Sequence, residues 1–361
     1  MIPARRNRAT NAYAGLMTDA LEEAGCKVND FSPIRSLLPL YDIVHIHWPH
    51  VYAHDRSYPI AVLRCLMFGF LLWLQRAYGA RIVWTVHDVR GMGSGRARLE
   101  TALMRTIVPV LHGVVFLNNS SREVALRVYP GLARKRWLMS CHALYGATYP
   151  KCGRTEARRH FGIDLWACVA GFVGDIKPYK GLDELLAAYH GAGANAATLF
   201  VAGSVTGSAS LAAEIEAQLA FLRSQGAPIV RMDRRLAEKE MSAGIAACDV
   251  LIAPYKTSWN SGIATLALEH DRPLLCPDLP IFRELQDEVG ERWVSTYEPP
   301  LTIGHVQEAV ERAISSQGTA REALLKFCRR RSWLEISWRM VTFYDGLMAS
   351  YASGQCTEGR N

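Results

Sequence analysis

The stretch "ACVAGFVGDIKPYKGLDELLAAYH", residues 167–190, has the form of one strand–loop–helix unit. It begins with an apolar run of strand length and ends on leucines and alanines at helical spacing. Between them, "GDIKPYKG" (174–181) places two glycines and two lysines around Pro178. A buried strand followed by a glycine-bearing loop and a helix is typical of open α/β sheets, which bind ligands at the carboxyl ends of their strands.

The same alternation extends outward along the chain. Helical patterns at 12–24, 59–77 and 96–111 lie between β-branched runs in the first half, and the second half repeats the scheme. Such alternation predicts parallel strands joined by crossover helices. The strand-like runs are 43–48, 81–87, 113–118, 167–174, 198–203, 228–232, 250–255 and 273–278.

The length of 361 residues exceeds the range of about 250–300 residues within which one hydrophobic core usually suffices. We therefore predict an α/β protein of two tandem, doubly wound, Rossmann-like domains. The "YGATYPKCGRT" segment (145–155) breaks the periodicity and indicates the boundary. The predicted parts are an N-terminal domain (1–155), a second domain (156–335), a helix that crosses back to the first domain (336–352) and a disordered tail (353–361).

Charge is divided unevenly. Residues 1–165 hold 22 Lys and Arg against 11 Asp and Glu, and residues 166–361 hold 19 against 23. A basic half suits nucleic acid, an anionic membrane or a phosphorylated substrate. Nucleic acid is the weakest of these readings, because the Arg-rich faces lack interleaved aromatic residues and any known binding module.

The nine cysteines form no C-x-x-C pair, which predicts reduced, buried thiols in a cytoplasmic protein. The amino-terminal "MIPARRNRATNAY" has no apolar segment of the secretory type. The apolar run "LMFGFLLWL" (66–74) is too short to span a bilayer. It is either a buried helix or an interfacial helix with Arg64 and Arg76 reaching the lipid headgroups.

The loop that follows the 167–173 run is a candidate anion site. Lys177 and Lys180 are three residues apart, so their ammonium groups can converge on one anion such as a diphosphate, while Gly174 and Gly181 allow a close backbone approach. The spacing is not that of a Walker loop. Two solvated lysines in a surface loop are the alternative.

A second loop, "KTSWNSG" (256–262), leads into another predicted helix. Its hydroxyl, amide and backbone N–H groups, including Asn260, Ser261 and Gly262, lie where the helix dipole favours phosphate. Glu269 lies about two turns further and could accept hydrogen bonds from both hydroxyls of a ribose. A local cap or ion pair is the alternative role for Glu269.

These residues carry a resemblance. The segments "GDIKPYKGLDELLAAY" (174–189) and "CDVLIAPYKTSWNSGIATLALEHDRPLL" (248–275) resemble the nucleotide-sugar domain of GT-B glycosyltransferases, in particular glycosyltransferase family 4. The segments "YDIVHIHWPH" (41–50), "RIVWTVHDVRG" (81–91) and "LMSCHALYGATYP" (138–150) resemble the bacterial exopolysaccharide branch, which includes xanthan-type β-mannosyltransferases. The resemblance implies a GT-B fold with its active site in the cleft between the domains.

The resemblance also implies roles for individual residues. Lys177 and Lys180 would hold the donor diphosphate, and Glu269 the nucleotide ribose. The family 4 pattern has a second glutamate eight residues earlier, where this chain has Ser261, so a retaining mechanism is in doubt. The predicted donor-binding set is Gly174, Lys177, Lys180, Tyr255, Asn260, Ser261, Gly262, Ile263 and Glu269.

An inverting reaction needs a base that takes the proton from the acceptor hydroxyl. Asp88 or His87, at the end of a predicted strand, is the candidate for that base, and a turn cap is the alternative for Asp88. His47 with Trp48 would stack on the acceptor sugar, and the resemblance suggests His142 as a further contact. No metal or other cofactor is expected, since the lysines can neutralise the leaving diphosphate.

The predicted function is transfer of a hexose, mannose from GDP-mannose, to a polyprenyl diphosphate-linked oligosaccharide in exopolysaccharide biosynthesis. The expected location is the cytoplasm, at the inner face of the cytoplasmic membrane, with an anionic membrane surface as a partner. The alternatives are a GT-B enzyme that uses a UDP-sugar, as a transferase or a 2-epimerase, and a non-catalytic scaffold at the membrane.

Overall fold

The computed structural model describes residues 1–6, 8, 11–55, 57–89, 95–315 and 321–355, with side chains up to Ala349. The strands are β1 (Ile43–Ile46), β2 (Arg81–Val86), β3 (Gly113–Phe116), β4 (Arg136–Met139), β5 (Val169–Val173), β6 (Thr198–Ala202), β7 (Ile229–Met232), β8 (Val250–Ile252), β9 (Leu274–Pro277) and β10 (Val294–Tyr297).

Helices connect the strands. They are α1 (Ala12–Glu23), α2 (Tyr58–Ala77), α3 (Ala97–Val110), α4 (Asn119–Val128), α5 (Arg154–Phe161), α6 (Leu182–Ala188), α7 (Ala209–Ser224), α8 (Glu238–Ala247), α9 (Gly262–Glu269), α10 (Pro280–Val289), α11 (Ile303–Ser315), α12 (Arg321–Arg330) and α13 (Trp333–Gln355). Short 3-10 turns lie between several of them, including Pro178–Lys180 in the lysine loop.

The chain divides into two units. Unit 1 comprises Met1–Ala143 and Arg330–Asn361, and unit 2 comprises Leu144–Arg329. The division therefore precedes the predicted boundary at 155/156. The reason is that Tyr145 and Gly146 are hydrogen-bonded to Glu269, which lies in unit 2. Of the predicted disordered tail, residues 356–361 lie outside the described residues.

Unit 1 contains a parallel sheet in the order β1-β2-β3-β4. The first residues extend it beside β1, because Ile2 pairs in parallel with Ile46 and its N–H donates to His45 O at 2.8 Å. All six residues of β2 are buried. Burial on both faces explains why this strand is a nearly continuous apolar run.

Unit 2 contains a parallel sheet in the order β10-β9-β8-β5-β6-β7. The chain begins this sheet at β5, adds β6 and β7 on one side, and then returns to add β8 on the other side. The direction of winding therefore reverses between β5 and β8. Doubly wound sheets bind ligands at this switch point, outside the carboxyl ends of the two strands.

The apolar strand predictions are confirmed, and two strands were missed. β4 and β10 did not register as strands because neither is a continuous apolar run. In β4, Arg136 and Trp137 are exposed, and in β10, Ser295 and Thr296 are only partly buried. Strands that are partly open to solvent lack the uninterrupted apolar pattern that identifies buried parallel strands.

The predicted C-terminal amphipathic helix is α13, which belongs to unit 1. Ile336, Met340 and Tyr344 on one stripe are buried, and they pack in one cluster with Tyr13 and Met17 of α1. This contact makes the end of the chain part of the first unit's core.

The apolar run at 66–74 lies within α2, which is 20 residues long. By length and composition alone, α2 is the one described helix that could cross a membrane. One face is buried in unit 1, including Phe68 and Leu72, whereas the opposite face leaves large apolar side chains in solvent. The exposed set is Tyr58, Ile60, Leu63, Leu66, Met67, Phe70 and Trp73.

The two arginines that flank the apolar run lie within α2 and bond to other groups of the protein. Arg64 forms an ion pair with Asp55 at 3.0 Å, and Arg76 Nη1 donates to Val110 O at 2.8 Å. The helix is therefore not fully buried: one face packs in unit 1 and the other leaves apolar side chains in solvent. The arginines themselves are engaged locally.

The described cysteines are all free thiols. Burial is less general than predicted, since Cys65, Cys248 and Cys276 are buried but Cys168 is exposed. Cys168 lies just before the first residue of β5, a central strand of its sheet, and only the residues from Val169 onward enter the core.

Candidate functional site

Two loops meet at the switch point of the second sheet. The lysine loop, residues 174–181, follows β5. The second loop, predicted at 256–262, spans residues 253–261 in the structure, between β8 and α9. Lys256 N–H donates to Tyr179 O at 2.9 Å, which joins the two loops directly. The sequence predicted both loops as ligand-binding, and the sheet order places them side by side.

Gly181 is required for this junction. Its φ of 68° lies in the left-handed region, and a Cβ at this position would overlap the carbonyl oxygen of Pro254. Only glycine combines this backbone conformation with so close an approach. The lysine loop can therefore pack against the second loop without a side chain between them.

Lys180 is the central cation of the site. Its ammonium lies 5.9 Å from the centre of the Tyr255 ring and is partly buried. Within the described part of the chain, no hydrogen bond or ion pair engages it. Burial lowers the pKa of Lys180 to about 8; nearby Asp175 opposes that shift and the ammonium of Lys177 adds to it. Two like charges close enough to interact, on partly buried side chains, form a favourable environment for an anion.

The N-terminus of α9 forms the opposite wall. Ser261 caps the helix, because its hydroxyl accepts a hydrogen bond from Ala264 N–H at 3.2 Å. The Tyr255 side chain is hydrogen-bonded to the same serine, and burial raises the pKa of Tyr255. The backbone N–H groups of Gly262 and Ile263 belong to the first turn of α9, where intrahelical acceptors are absent. These groups and the dipole favour a phosphate.

Glu269 ends α9 and is already engaged. Its two carboxylate oxygens accept hydrogen bonds from Tyr145 N–H at 2.9 Å and Gly146 N–H at 2.7 Å. Burial raises the pKa of Glu269, and these two N–H groups oppose the rise. Both donors lie more than 120 positions away in the chain, so these bonds are neither the local cap nor the local ion pair considered as the alternative. A carboxylate has about four acceptor positions, so capacity remains for further donors.

Arg231 is a residue of β7, and its side chain binds the backbone at the carboxyl ends of β6 and β7. Its guanidinium donates to Gly203 O and Met232 O, each at 2.8 Å, and pairs with Asp233 at 2.7 Å. The side chain is almost fully buried. Arg231 therefore holds the backbone at the carboxyl ends of two adjacent strands in place.

In unit 1, polar and aromatic side chains collect at the carboxyl ends of the strands. His47 directly follows β1 and His87 directly follows β2. His47 Nδ1 and His87 Nε2 share one hydrogen bond at 3.0 Å. Trp48 is partly exposed and stacks on His87, with ring centres 4.4 Å apart. Asp88 is partly exposed next to them.

The prediction that His47 stacks on the acceptor sugar is wrong. His47 is 1% exposed, because its ring is stacked on His45 at 4.4 Å and lies against His87. Trp48 keeps an accessible face that His47 lacks. His45 is a buried core histidine, and its two ring nitrogens are hydrogen-bonded to Tyr344 and Thr85 at 2.5 and 2.7 Å.

Sequence reasoning missed Tyr13, which joins this cluster. The Tyr13 ring lies 4.9 Å from that of His87 and 4.8 Å from that of His142. His142 Nδ1 also donates to Ala143 O at 2.9 Å. The available signal was Asn11, whose side chain accepts from Tyr13 N–H as the cap of α1 and so fixes this tyrosine at the end of the sheet.

Among the described residues, no group of three or more His, Cys, Asp or Glu side chains is arranged to hold a metal ion. The prediction that no metal takes part stays a prediction.

No protein-family model matches the chain. Two curated relatives, both named GDP-mannose:glycolipid 4-β-D-mannosyltransferase and both from Xanthomonas campestris pv. campestris, are 27% identical to it. One match spans 295 residues and the other 293, in each case 81% of this chain and 77% of the relative.

Solved structures share the architecture. Sucrose-phosphate synthase from Thermosynechococcus elongatus superimposes with a TM-score of 0.64 at 15% identity, over 86% of this chain and 74% of that one. The HepE protein of Anabaena, in complex with UDP and glucose, gives a TM-score of 0.64 at 13% identity, over 91% and 81% of the two chains. The predicted fold is confirmed: the chain has the GT-B fold of glycosyltransferases and is similar in sequence to the glycolipid mannosyltransferases of Xanthomonas.

Proposed function

We propose that the protein transfers mannose from GDP-mannose to a lipid-linked oligosaccharide. The observation that carries this proposal is the Lys180 ammonium, which is partly buried, close to Lys177 and without a hydrogen bond or ion pair within the described residues. A cation in that state is stabilised by a bound diphosphate. The names of the 27% identical relatives support GDP-mannose as the donor and a glycolipid as the acceptor.

On the donor side, the diphosphate would be bound between the two lysines and the first turn of α9. Gly174 has a φ of 120°, a conformation that favours glycine, and the Tyr255 ring lies next to the Lys180 ammonium. Asn260, Ser261, Gly262 and Ile263 would form the helix side of the phosphate site. The ribose hydroxyls would donate to Glu269, whose carboxylate has acceptor positions beyond the two occupied by backbone N–H groups.

On the acceptor side, Asp88 would remove the proton of the attacking hydroxyl. That oxygen bonds to the anomeric carbon of mannose, the bond from that carbon to the diphosphate breaks, and GDP leaves. Sugar nucleotides such as GDP-mannose carry an α-linked sugar, so a β-linked product requires inversion and a base. His87, already bonded to His47, would orient the acceptor, and Trp48 and His142 would contact its sugar.

Ser261 supports inversion. In place of the glutamate that the family 4 pattern has near the transferred sugar, this chain has a hydroxyl that is committed to the cap of α9. No side-chain carboxylate then stands at that position to assist a retaining reaction. We propose that the lysines neutralise the leaving diphosphate and that no metal is needed.

The exposed apolar face of α2 supports a location at a membrane surface. Leu66 and Trp73 are 65% and 57% exposed, on a helix whose other face is anchored in unit 1. Soluble domains rarely expose so many large apolar side chains on one helix. We propose that this face enters the inner leaflet of the cytoplasmic membrane, where a polyprenyl diphosphate-linked acceptor of exopolysaccharide biosynthesis would be presented.

The test is an incubation of the protein with labelled GDP-mannose, UDP-glucose or UDP-N-acetylglucosamine and a lipid extract of the producing cells. Transfer of label from GDP-mannose into the lipid fraction, in the presence of EDTA, is the expected result. Transfer from a UDP-sugar and not from GDP-mannose would show that the proposed donor is wrong. Conversion of a UDP-sugar to its 2-epimer would show that the proposed reaction is wrong. No turnover of any donor would leave only the scaffold interpretation.

A further inference from the structure

Residues 144–151, here termed the strap, run along the side of α9. At one end of the strap, Tyr145 and Gly146 donate their backbone N–H groups to Glu269. At the other end, Tyr149 O accepts from His270 Nε2 at 3.1 Å, and Lys151 forms an ion pair with Asp271 at 3.0 Å. The strap is therefore fixed at several points to the end of α9 and to the two residues that follow it, beside the helix to which the donor is assigned.

The side chain of Tyr145 reaches the opposite end of α9. A Cβ on Gly262, the first residue of that helix, would overlap the phenol oxygen of Tyr145. The ring is held from the other side by Tyr149, with ring centres 5.2 Å apart in an edge-to-face arrangement. One residue thus contacts both parts of α9: its N–H bonds to Glu269, and its hydroxyl lies over the helix N-terminus.

Gly262 explains how a phenol can occupy that position. Any larger residue at the start of α9 would displace the hydroxyl of Tyr145 from the first turn of the helix. The hydroxyl remains protonated at neutral pH, because burial raises the pKa of Tyr145 further above its usual value near 10. A protonated phenol beside helix N–H groups adds one more hydrogen-bond donor to the site where an anion is expected.

We infer that Tyr145 is a donor-binding residue, and that its hydroxyl donates a hydrogen bond to the diphosphate of the sugar nucleotide at the N-terminus of α9. The inference rests on the proposed function, because it takes the position of the diphosphate from it. Glu269 acts on the same residue as a positioning group: it binds the strap backbone through two N–H groups and so holds the phenol over Gly262.

The experiment is a calorimetric titration of the full chain with GDP and with GMP. The variants are Tyr145→Phe, which removes only the hydroxyl, and Tyr149→Phe as a matched control that keeps the packing ring. Hydrogen bonds to charged groups predict that Tyr145→Phe weakens GDP binding about tenfold or more. GMP lacks the β-phosphate, so its affinity should change by no more than about twofold, well below the effect of a lost charge-assisted hydrogen bond. Tyr149→Phe should change neither.

A second variant tests the geometry. Gly262→Ala keeps the helix but forces the Tyr145 phenol away, so it should reduce the GDP-to-GMP preference as Tyr145→Phe does. Thermal midpoints of all variants report that the fold is intact. If Tyr145→Phe binds GDP like the wild type while Lys180→Ala does not, the inference is overturned and the proposed function stands. If the wild-type protein binds none of GDP, UDP and ADP, both are overturned.

Discussion

His47 Nδ1 lies 3.0 Å from His87 Nε2, so one imidazole must donate and the other accept. Burial holds the pKa of each ring well below the usual value near 6.5, and both are neutral at pH 7. Because His47 Nε2 has no hydrogen-bond partner within the described residues, the proton of His47 is better placed on Nδ1, where it is donated to His87. The lone pair of His87 Nε2 is then occupied, which favours Asp88 over His87 as the base.

The same pair makes stability depend on pH. Between the lowered pKa of the folded rings and about 6.5, the unfolded chain binds protons that the folded chain does not, so stability falls as the pH falls. For each such histidine the loss begins as the pH falls below about 6.5 and amounts to at most about 1.4 kcal/mol per pH unit. Urea denaturation at pH 7 and pH 5 should therefore show a smaller loss for His47→Gln than for the wild type. Substitution by Gln of His190, an exposed histidine outside this cluster, serves as the control. An equal loss of stability in His47→Gln and the wild type would show that His47 does not cause the pH dependence.

Lys180 predicts a pH dependence of donor binding. Burial lowers its pKa to about 8 in the free protein, and only the ammonium form attracts the diphosphate. Affinity for GDP should therefore fall as the pH rises past 8, by about tenfold between pH 7 and pH 9, as expected for loss of one proton. The matched variant is Lys180→Arg, whose guanidinium stays charged over this range. Calorimetry should show a flat pH profile for the arginine variant, and parallel profiles for both proteins would rule out Lys180 as the titrating group.

Glu269 is expected to discriminate the ribose hydroxyls. With the carboxylate present, GDP should bind about tenfold tighter than 2′-deoxy-GDP, since a lost hydrogen bond to a charged group has about that effect. Glu269→Gln removes the charge and one acceptor, so the two nucleotides should bind alike. The substitution should also speed hydrogen exchange at one of Tyr145 and Gly146, because the amide keeps only one of the two oxygens that accept from their N–H groups. Glu322→Gln, on an exposed ion pair of α12, is the control. Retained discrimination in Glu269→Gln would place the ribose elsewhere.

The exposed face of α2 predicts binding to phospholipid vesicles. Leu66→Asp combined with Phe70→Asp should weaken co-sedimentation with anionic vesicles by at least about tenfold, because each large apolar side chain contributes about 1.5–3 kcal/mol when it leaves water. Both side chains are more than half exposed, so the fold should persist. The comparison is Trp166→Ser, which removes a 91% exposed tryptophan from unit 2. An equal loss of vesicle binding in the two variants would indicate non-specific hydrophobic adsorption rather than binding through α2.

The sequence was informative where one local pattern determines the structure. A buried parallel strand requires an uninterrupted apolar run, and β2 and β5 were identified on that ground. Loops at strand ends were likewise found from their glycines, lysines and hydroxyls. The contact between Tyr145 and Gly262 was not predictable in this way, because it joins residues more than a hundred positions apart and neither is unusual in its own segment. Tyr13 was missed for a similar reason, because its ring partners His87 and His142 lie far from it in the sequence.

The partial exposure of α2 illustrates a different limit. Its composition is apolar around the whole circumference, which is compatible with a fully buried helix, a membrane helix or a helix with one open face. Periodicity cannot separate these cases, since it reports a difference between faces and here the faces are alike. Only the packing of Phe68 and Leu72 against unit 1 shows which side is covered.

Gly181 should be the most sensitive glycine of the donor site. Gly181→Ala places a Cβ onto Pro254 O, in a backbone conformation that is already unfavourable for alanine. Gly193 is the matched control: its φ of 67° is nearly the same, but no atom lies within 4 Å of its added Cβ. Gly193→Ala should therefore cost only the backbone strain, about 1–2 kcal/mol. Gly181→Ala should cost more, because the lysine loop and the second loop must separate, and it should weaken GDP binding while Gly193→Ala does not. Equal free energies of unfolding and equal GDP affinities for the two variants would show that the junction at Pro254 does not hold the lysines in place.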